Sequence, residues 1–95
     1  MSTLRVDNPY TLETAVEVPL ADWPEIERVL ARAQEGAALI AAMPLSERKV
    51  LVEKATAAME ANADRIAEDI SRMMGKPKSN ALGELKTMAV RARKM

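Results

Sequence analysis

Apolar and polar positions change period once along this chain, and the change divides it into two parts. From Leu12 to Leu20 the pattern alternates. Leu12, Thr14, Val16, Val18 and Leu20 share one face, with Glu13, Ala15, Glu17 and Pro19 on the other. Period two predicts a half-buried strand. Pro19 marks its end or an edge position, because proline cannot donate to a ladder. Asn8-Pro9 reads as a turn, since Asn tolerates unusual backbone angles and the proline ring fixes φ. Leu4 to Asp7 is then the pairing partner in a short ribbon. A lone ribbon is marginal in water and needs another surface.

From Asp22 onward the spacing becomes helical. Asp22 is a good N-cap, with Pro24 near the first helical position and Glu25 in the first turn. The first helix carries Ile26, Val29, Leu30, Ala33, Ala37 and Ile40 on one stripe and stops before Pro44. Gly36 costs about 1 kcal/mol relative to Ala in an exposed helix, which points to close packing there. Ser46 caps a second helix with Val50 or Leu51, Ala55, Ala58 and Met59 inward. Asn62-Ala63-Asp64 gives a break and a new cap. A third helix uses Ile66, Ile70, Met73 and Met74 and ends at Gly75, a C′ stop reinforced by Pro77. Ser79 or Asn80 caps a fourth, with Leu82, Leu85, Met88, Ala89 and Ala92 inward. The expected division is an extended ribbon over 1–21 and a four-helix segment over 22–95.

Composition changes this picture in one respect. Hydrophobic residues make up 48% of the 95 positions, but seventeen are Ala, Phe is absent, and there is one Trp and one Tyr. Ala favours helix yet contributes little apolar area. A core built from Ala, Leu and Met in so short a chain is marginal. The helices suit a chain that lies against a larger body.

Charge and candidate chemistry mostly exclude. Lys+Arg and Asp+Glu are both 14, so no net field points to nucleic acid or to an anionic membrane. There is no Cys and no His, which removes disulfides, thiolates and the commonest metal ligands and general bases. No apolar run spans a bilayer, and Met1 to Val6 lacks a signal core. The cytoplasm is the expected compartment. Ser46-Glu47-Arg48-Lys49 has the Ser-x-x-Lys spacing of some acyl-transfer enzymes, but Ser46 reads as a helix cap. Gly75-Lys76-Pro77 lacks the glycine-rich approach and the following Ser or Thr of a phosphate loop, so it reads as a helix stop. Glu53 with Glu60, and Glu68 with Asp69, read as solvated helix faces. Met59, Met73, Met74 and Met88 read as core filling. Arg91, Arg93 and Lys94 form a basic helix end that offsets the dipole.

Taken in order, these elements resemble the start of an aldehyde dehydrogenase subunit. Members often begin with Asn-Pro and polar residues and then a strand ending near Val-Pro, as in Asn8-Pro9-Tyr10-Thr11 and Val16-Glu17-Val18-Pro19. A long helix follows, then a Pro-Leu-x-x-Arg turn, here Pro44-Leu45-Ser46-Glu47-Arg48. A helix ending in Gly-Lys-Pro is matched by Met74-Gly75-Lys76-Pro77, and a Glu-bearing helix by Gly83-Glu84-Leu85-Lys86. Ala42-Met43 stands where many members carry a Trp.

The resemblance implies an oxidoreductase that converts an aldehyde to a carboxylic acid. In that family a catalytic Cys forms a thiohemiacetal, hydride passes to NAD(P)+, and a Glu activates water. An Asn side chain and a backbone amide hold the oxyanion. None of these residues maps onto a position here, so the expected catalytic, cofactor-binding and metal residues of the segment are none. NAD or NADP is expected for the full-length family enzyme and not for this segment alone. The implied fold is an α-rich part of the α/β aldehyde dehydrogenase architecture. Its helices lie at the periphery of the coenzyme-binding domain, and its N-terminal ribbon contributes oligomerisation strands. The expected partners are the remainder of the polypeptide and further copies in a homo-oligomer, with no nucleic acid and no membrane. The leading expectation is an N-terminal structural segment that is not catalytic by itself. The alternative is a stand-alone helical interaction module with no enzymatic activity.

Overall fold

A computed structural model describes residues 2–95. Strand β1 (Thr3–Asp7) pairs antiparallel with β2 (Thr14–Pro19), with Thr3 opposite Pro19 and Val6 opposite Val16. Between Val6 and Asp7 the register shifts, because Asp7 pairs with Thr14. Ala15 is therefore an extra residue on β2, a β-bulge. The bulge corrects the simple alternation expected from the sequence: Ala15 and Val16, adjacent in the chain, are both half-buried.

The strand expected to start at Leu12 begins two residues later for a local reason. Asn8 Oδ1 accepts the amides of Tyr10 at 2.9 Å and Thr11 at 3.3 Å, and the Leu12 amide donates to the Asn8 carbonyl at 2.8 Å. These bonds wind the chain into a tight loop, and Leu12 closes it with a left-handed φ of 65°. That conformation costs a non-glycine residue about 1–2 kcal/mol, offset here by the Asn8 bonds.

Helix α1 (Trp23–Ala42) starts as expected: Asp22 Oδ1 accepts the Glu25 amide at 2.9 Å, and Pro24 sits in the first turn. Helix α2 (Leu45–Ala61) and helix α4 (Lys78–Lys94) start differently from expectation. Pro44 and Pro77 occupy their cap positions, with no side-chain cap bond. Each proline has a φ already near the helical value, so the helix begins at once. Ser46, Ser79 and Asn80 therefore lie inside first turns and cap nothing. Helix α3 (Ala63–Met74) follows α2 after the single residue Asn62. The stretch Asn62-Ala63-Asp64 is expected to give a break and a new cap, but Asn62 Nδ2 donates backward to the Ala58 carbonyl at 2.7 Å and closes the end of α2. Asp64, the other polar residue of that stretch, lies within the first turn of α3. Gly75 ends α3 with φ 76°, as its position predicts.

The core lies where α3, α4 and α2 meet. Ala67 and Ala81 are fully buried and Leu85 is 8% exposed, with Ala63, Ile66, Ile70 and Leu82 packed around them. Ala89 of α4 and Thr56 of α2 extend the core, and the Thr56 hydroxyl donates to the Val52 carbonyl at 2.8 Å. No buried polar group is therefore left unpaired there. The inward stripe of α4 matches the expected Leu82, Leu85, Met88, Ala89 and Ala92, with Ala81 added.

The other stripes shift. On α2 the buried residue is Thr56, whereas Ala55, Ala58 and Met59 are exposed along with Val50 and Leu51. On α3 Ala67 takes the centre, Ile66 and Ile70 are half-buried, and Met73 and Met74 are exposed. Small residues take the centre, Ala67 and Ala81 between α3 and α4 and Thr56 on α2, while Leu85 is buried beside them and Ile66, Ile70 and Leu82 pack at the margin. On α1 the whole expected stripe from Ile26 to Ile40 is exposed, and the helix buries no residue.

Leu85 is buried in the cluster with Ala67 and Ala81, so a carboxylate in its place loses hydration. Leu85→Asp should destabilise the protein by about 3 kcal/mol or more. Thermal denaturation measures it, and an unchanged melting temperature would show that Leu85 is not part of the stabilising core.

Candidate functional site

The groups with chemical potential are dispersed. Ser46 lies in the first turn of α2 beside Met43, Glu47, Val50 and Leu51, in a shallow depression that does not include Lys49. Glu68 and Asp69 are exposed on α3. Among the described residues no cluster of three acidic groups is placed to hold a metal ion. Lys76, in the connection before α4, donates to Glu84 on α4, and Lys78 lies 3.8 Å from Asp64. The glycine between α3 and α4 offers no cradle either. A Cβ on Gly75 would stand 2.7 Å from Pro9 Cγ, so the hairpin already fills that space.

One acidic pair does converge on a partner. Glu53 and Glu60 sit two turns apart on one face of α2, and Arg93 of α4 reaches both. Arg93 Nε lies 3.1 Å and 3.2 Å from the two Glu53 oxygens, and Nη1 lies 3.0 Å from Glu60 Oε2. Forked guanidinium–carboxylate bonds of this kind are stronger and more directional than single ion pairs. The Arg93 bonds hold the Glu60 carboxyl below its ordinary value of 4.5 and raise the Arg93 guanidinium. The cluster clamps the end of α4 to α2. From sequence alone, Glu53 and Glu60 read as a solvated face and Arg93 as a dipole partner. Their seven-residue spacing placed the carboxylates on one face, but nothing local identified the cation between them.

The dominant surface feature is apolar. Val29, Leu30, Leu39 and Ile40 on α1, and Val50 and Leu51 on α2, are all exposed, Leu39 at 71%. Gly36, expected to mark a close approach, meets nothing within 4 Å. The molecule is a slab of 48 × 37 × 16 Å with a radius of gyration of 17.2 Å. A compact chain of this length has about 12 Å. Its accessible surface is 7747 Å², against about 5,400 Å² for a compact protein of the same mass. The excess is larger than a standard interface side of about 800 Å². Helix α1, which buries no residue, is part of this surface. None of the described helices is long and apolar enough to cross a membrane.

The sequence model of the aldehyde dehydrogenase family matches residues 1–95. No solved structure matches the chain.

The Arg93 clamp has a consequence for acid stability. A carboxyl whose folded pKa is lowered contributes stability that is complete above its unfolded value, and the contribution is lost as pH falls through the folded value. Melting temperature should therefore decline once the pH drops below 4.5. Glu60→Gln should make that decline shallower and lower the melting temperature at neutral pH. All three side chains are partly solvated, so the difference between wild type and variant should shrink in about 1 M salt. Identical acid limbs for the two proteins would refute the clamp.

Proposed function

Because the chain belongs to the aldehyde dehydrogenase family, we propose that it is a structural N-terminal segment of an NAD(P)-dependent enzyme that oxidises an aldehyde to a carboxylic acid. The role of the segment is to dock on the coenzyme-binding part of that enzyme. Its ribbon contributes strands to assembly of a homo-oligomer in the cytoplasm. The observation that supports docking is the exposed apolar face of α1 on a chain whose surface exceeds the compact value.

The chemistry of the family does not fit the residues of this segment. A thiohemiacetal needs a thiol, and the sequence has no Cys. A dinucleotide phosphate needs free amides around a glycine turn at a helix N-terminus. The turn at Gly75 is instead filled by Pro9, and Lys76 is bonded to Glu84. No catalytic step is assigned to any residue here, and the nicotinamide coenzyme belongs to other parts of the family fold. What these residues do is bury apolar area and set the position of the ribbon.

Two outcomes test the proposal. The 95-residue chain mixed with NAD+ or NADP+ and an aldehyde should produce no NADH or NADPH, read at the absorbance of the reduced nicotinamide. A robust rate from pure material would overturn it. Leu30→Asp should lower the melting temperature of the full-length protein, with a loss of about 2–4 kcal/mol, because it buries a charge in the docked face. A full-length variant as stable as wild type would show that the α1 face stays open to solvent.

A further inference from the structure

The hairpin is tied to the helical body at two points, both near the end of α3. Arg72, in the last turn of that helix, donates from Nη2 to the carbonyl of Ala15 at 3.2 Å. Ala15 is the bulged residue of β2, the one with no partner across the ribbon. A bulge turns a backbone group out of the ladder, and here the group it releases meets a guanidinium. Three residues further on, the ring of Pro9 lies over Gly75, so close that a Cβ would stand 2.7 Å from it. Val6, Ala15 and Val16 are the half-buried strand residues, and both strands touch α3. Leu4, Val18 and Leu20 remain exposed.

We propose that the end of α3 is a seat that fixes the direction in which the ribbon projects, with Arg72 and Gly75 as its positioning residues. Two contacts, at the bulge and at the loop, define an orientation that a single contact would leave free to pivot. Gly75 serves the seat twice. Its left-handed φ of 76° ends α3, and its missing side chain admits Pro9. Arg72 also sits where a cation offsets the dipole of α3, so the bond to Ala15 adds no isolated charge. The sequence signal is short: an Arg three residues before the helix-ending glycine, and a proline in the β1–β2 loop. A ribbon held at one angle presents its exposed edges and apolar residues in one plane, which strand addition by another chain requires. This consequence for assembly rests on the reading of the ribbon as an oligomerisation element, whereas the seat itself does not.

The test uses the purified full-length protein. Hydrogen exchange of β1 and β2 amides and the native mass are measured for wild type, Arg72→Ala, Arg72→Lys and Pro9→Ala. Removing a hydrogen bond from a charged donor should speed exchange in both strands roughly three- to tenfold, with α4 amides unchanged. Arg72→Lys should restore part of the protection, since an ammonium also donates. Pro9→Ala leaves α3 intact and should loosen the ribbon by the same readout, which keeps the test informative if Arg72→Ala unfolds. Unchanged strand exchange in both Arg72→Ala and Pro9→Ala would overturn the seat. Faster exchange together with a smaller native mass supports the seat and its role in assembly. Faster exchange at unchanged mass supports the seat and overturns the assembly role of the ribbon.

Discussion

The close approach of α3 and α4 is the contact on which the rest of the molecule depends. It is made by Ala67 and Ala81, with no solvent exposure, and by Leu85 beside them. Small side chains let two backbones come together, and the short connection through Gly75, Lys76 and Pro77 forces an antiparallel turn. Gly75 can end one helix because it has no Cβ. Pro77 can start the next because its ring presets φ and its missing amide has no role in a first turn. Helix α2 and the ribbon are attached to this pair, whereas α1 is not. Helix α2 joins through Thr56 and the Arg93 clamp, and the ribbon joins through Arg72 and Pro9.

What this core does not do is equally informative. Four residues of modest size supply its buried apolar part, and none is large. The apolar face of α1 and the outer face of α2 contribute nothing to it. A chain that leaves this much apolar surface outside has not completed its burial by itself. That imbalance and the family membership are separate observations, one physical and one from sequence. Both support the proposed docking of the segment, with the exposed α1 stripe as its proposed contact face.

Legibility in the sequence varied with the range of the interaction. Asp22 as a cap, Gly75 as a stop and the stripe of α4 were readable, because each depends on residues within a turn or two. The caps assigned to Ser46, Ser79 and Asn80 were misplaced by proline, which took the cap position itself in both cases. Asn62 could have served either neighbouring helix, and its amide chose the carbonyl behind it. The bulge at Ala15 left only a weak mark in the alternation, polar Thr14 on the apolar face and Ala15 among the glutamates, because one inverted pair of small side chains does not break a nine-residue pattern. The meeting of Glu53 and Glu60 with Arg93 was illegible for a different reason. The partners lie on separate helices, and only their packing brings the charges together.

The sequence by itself determined the order of elements, the turn points and the family, because these follow from local backbone preference and from motifs in fixed order. It also determined that no thiol or imidazole chemistry can arise within these residues. The tertiary structure alone decided which stripe of each helix is covered. A helix with apolar residues on more than one side, such as α2, can bury any of them, and the choice depends on what size of side chain the facing helix admits. It likewise decided that α1 remains uncovered, because burial is a property of two surfaces and this chain supplies only one of them.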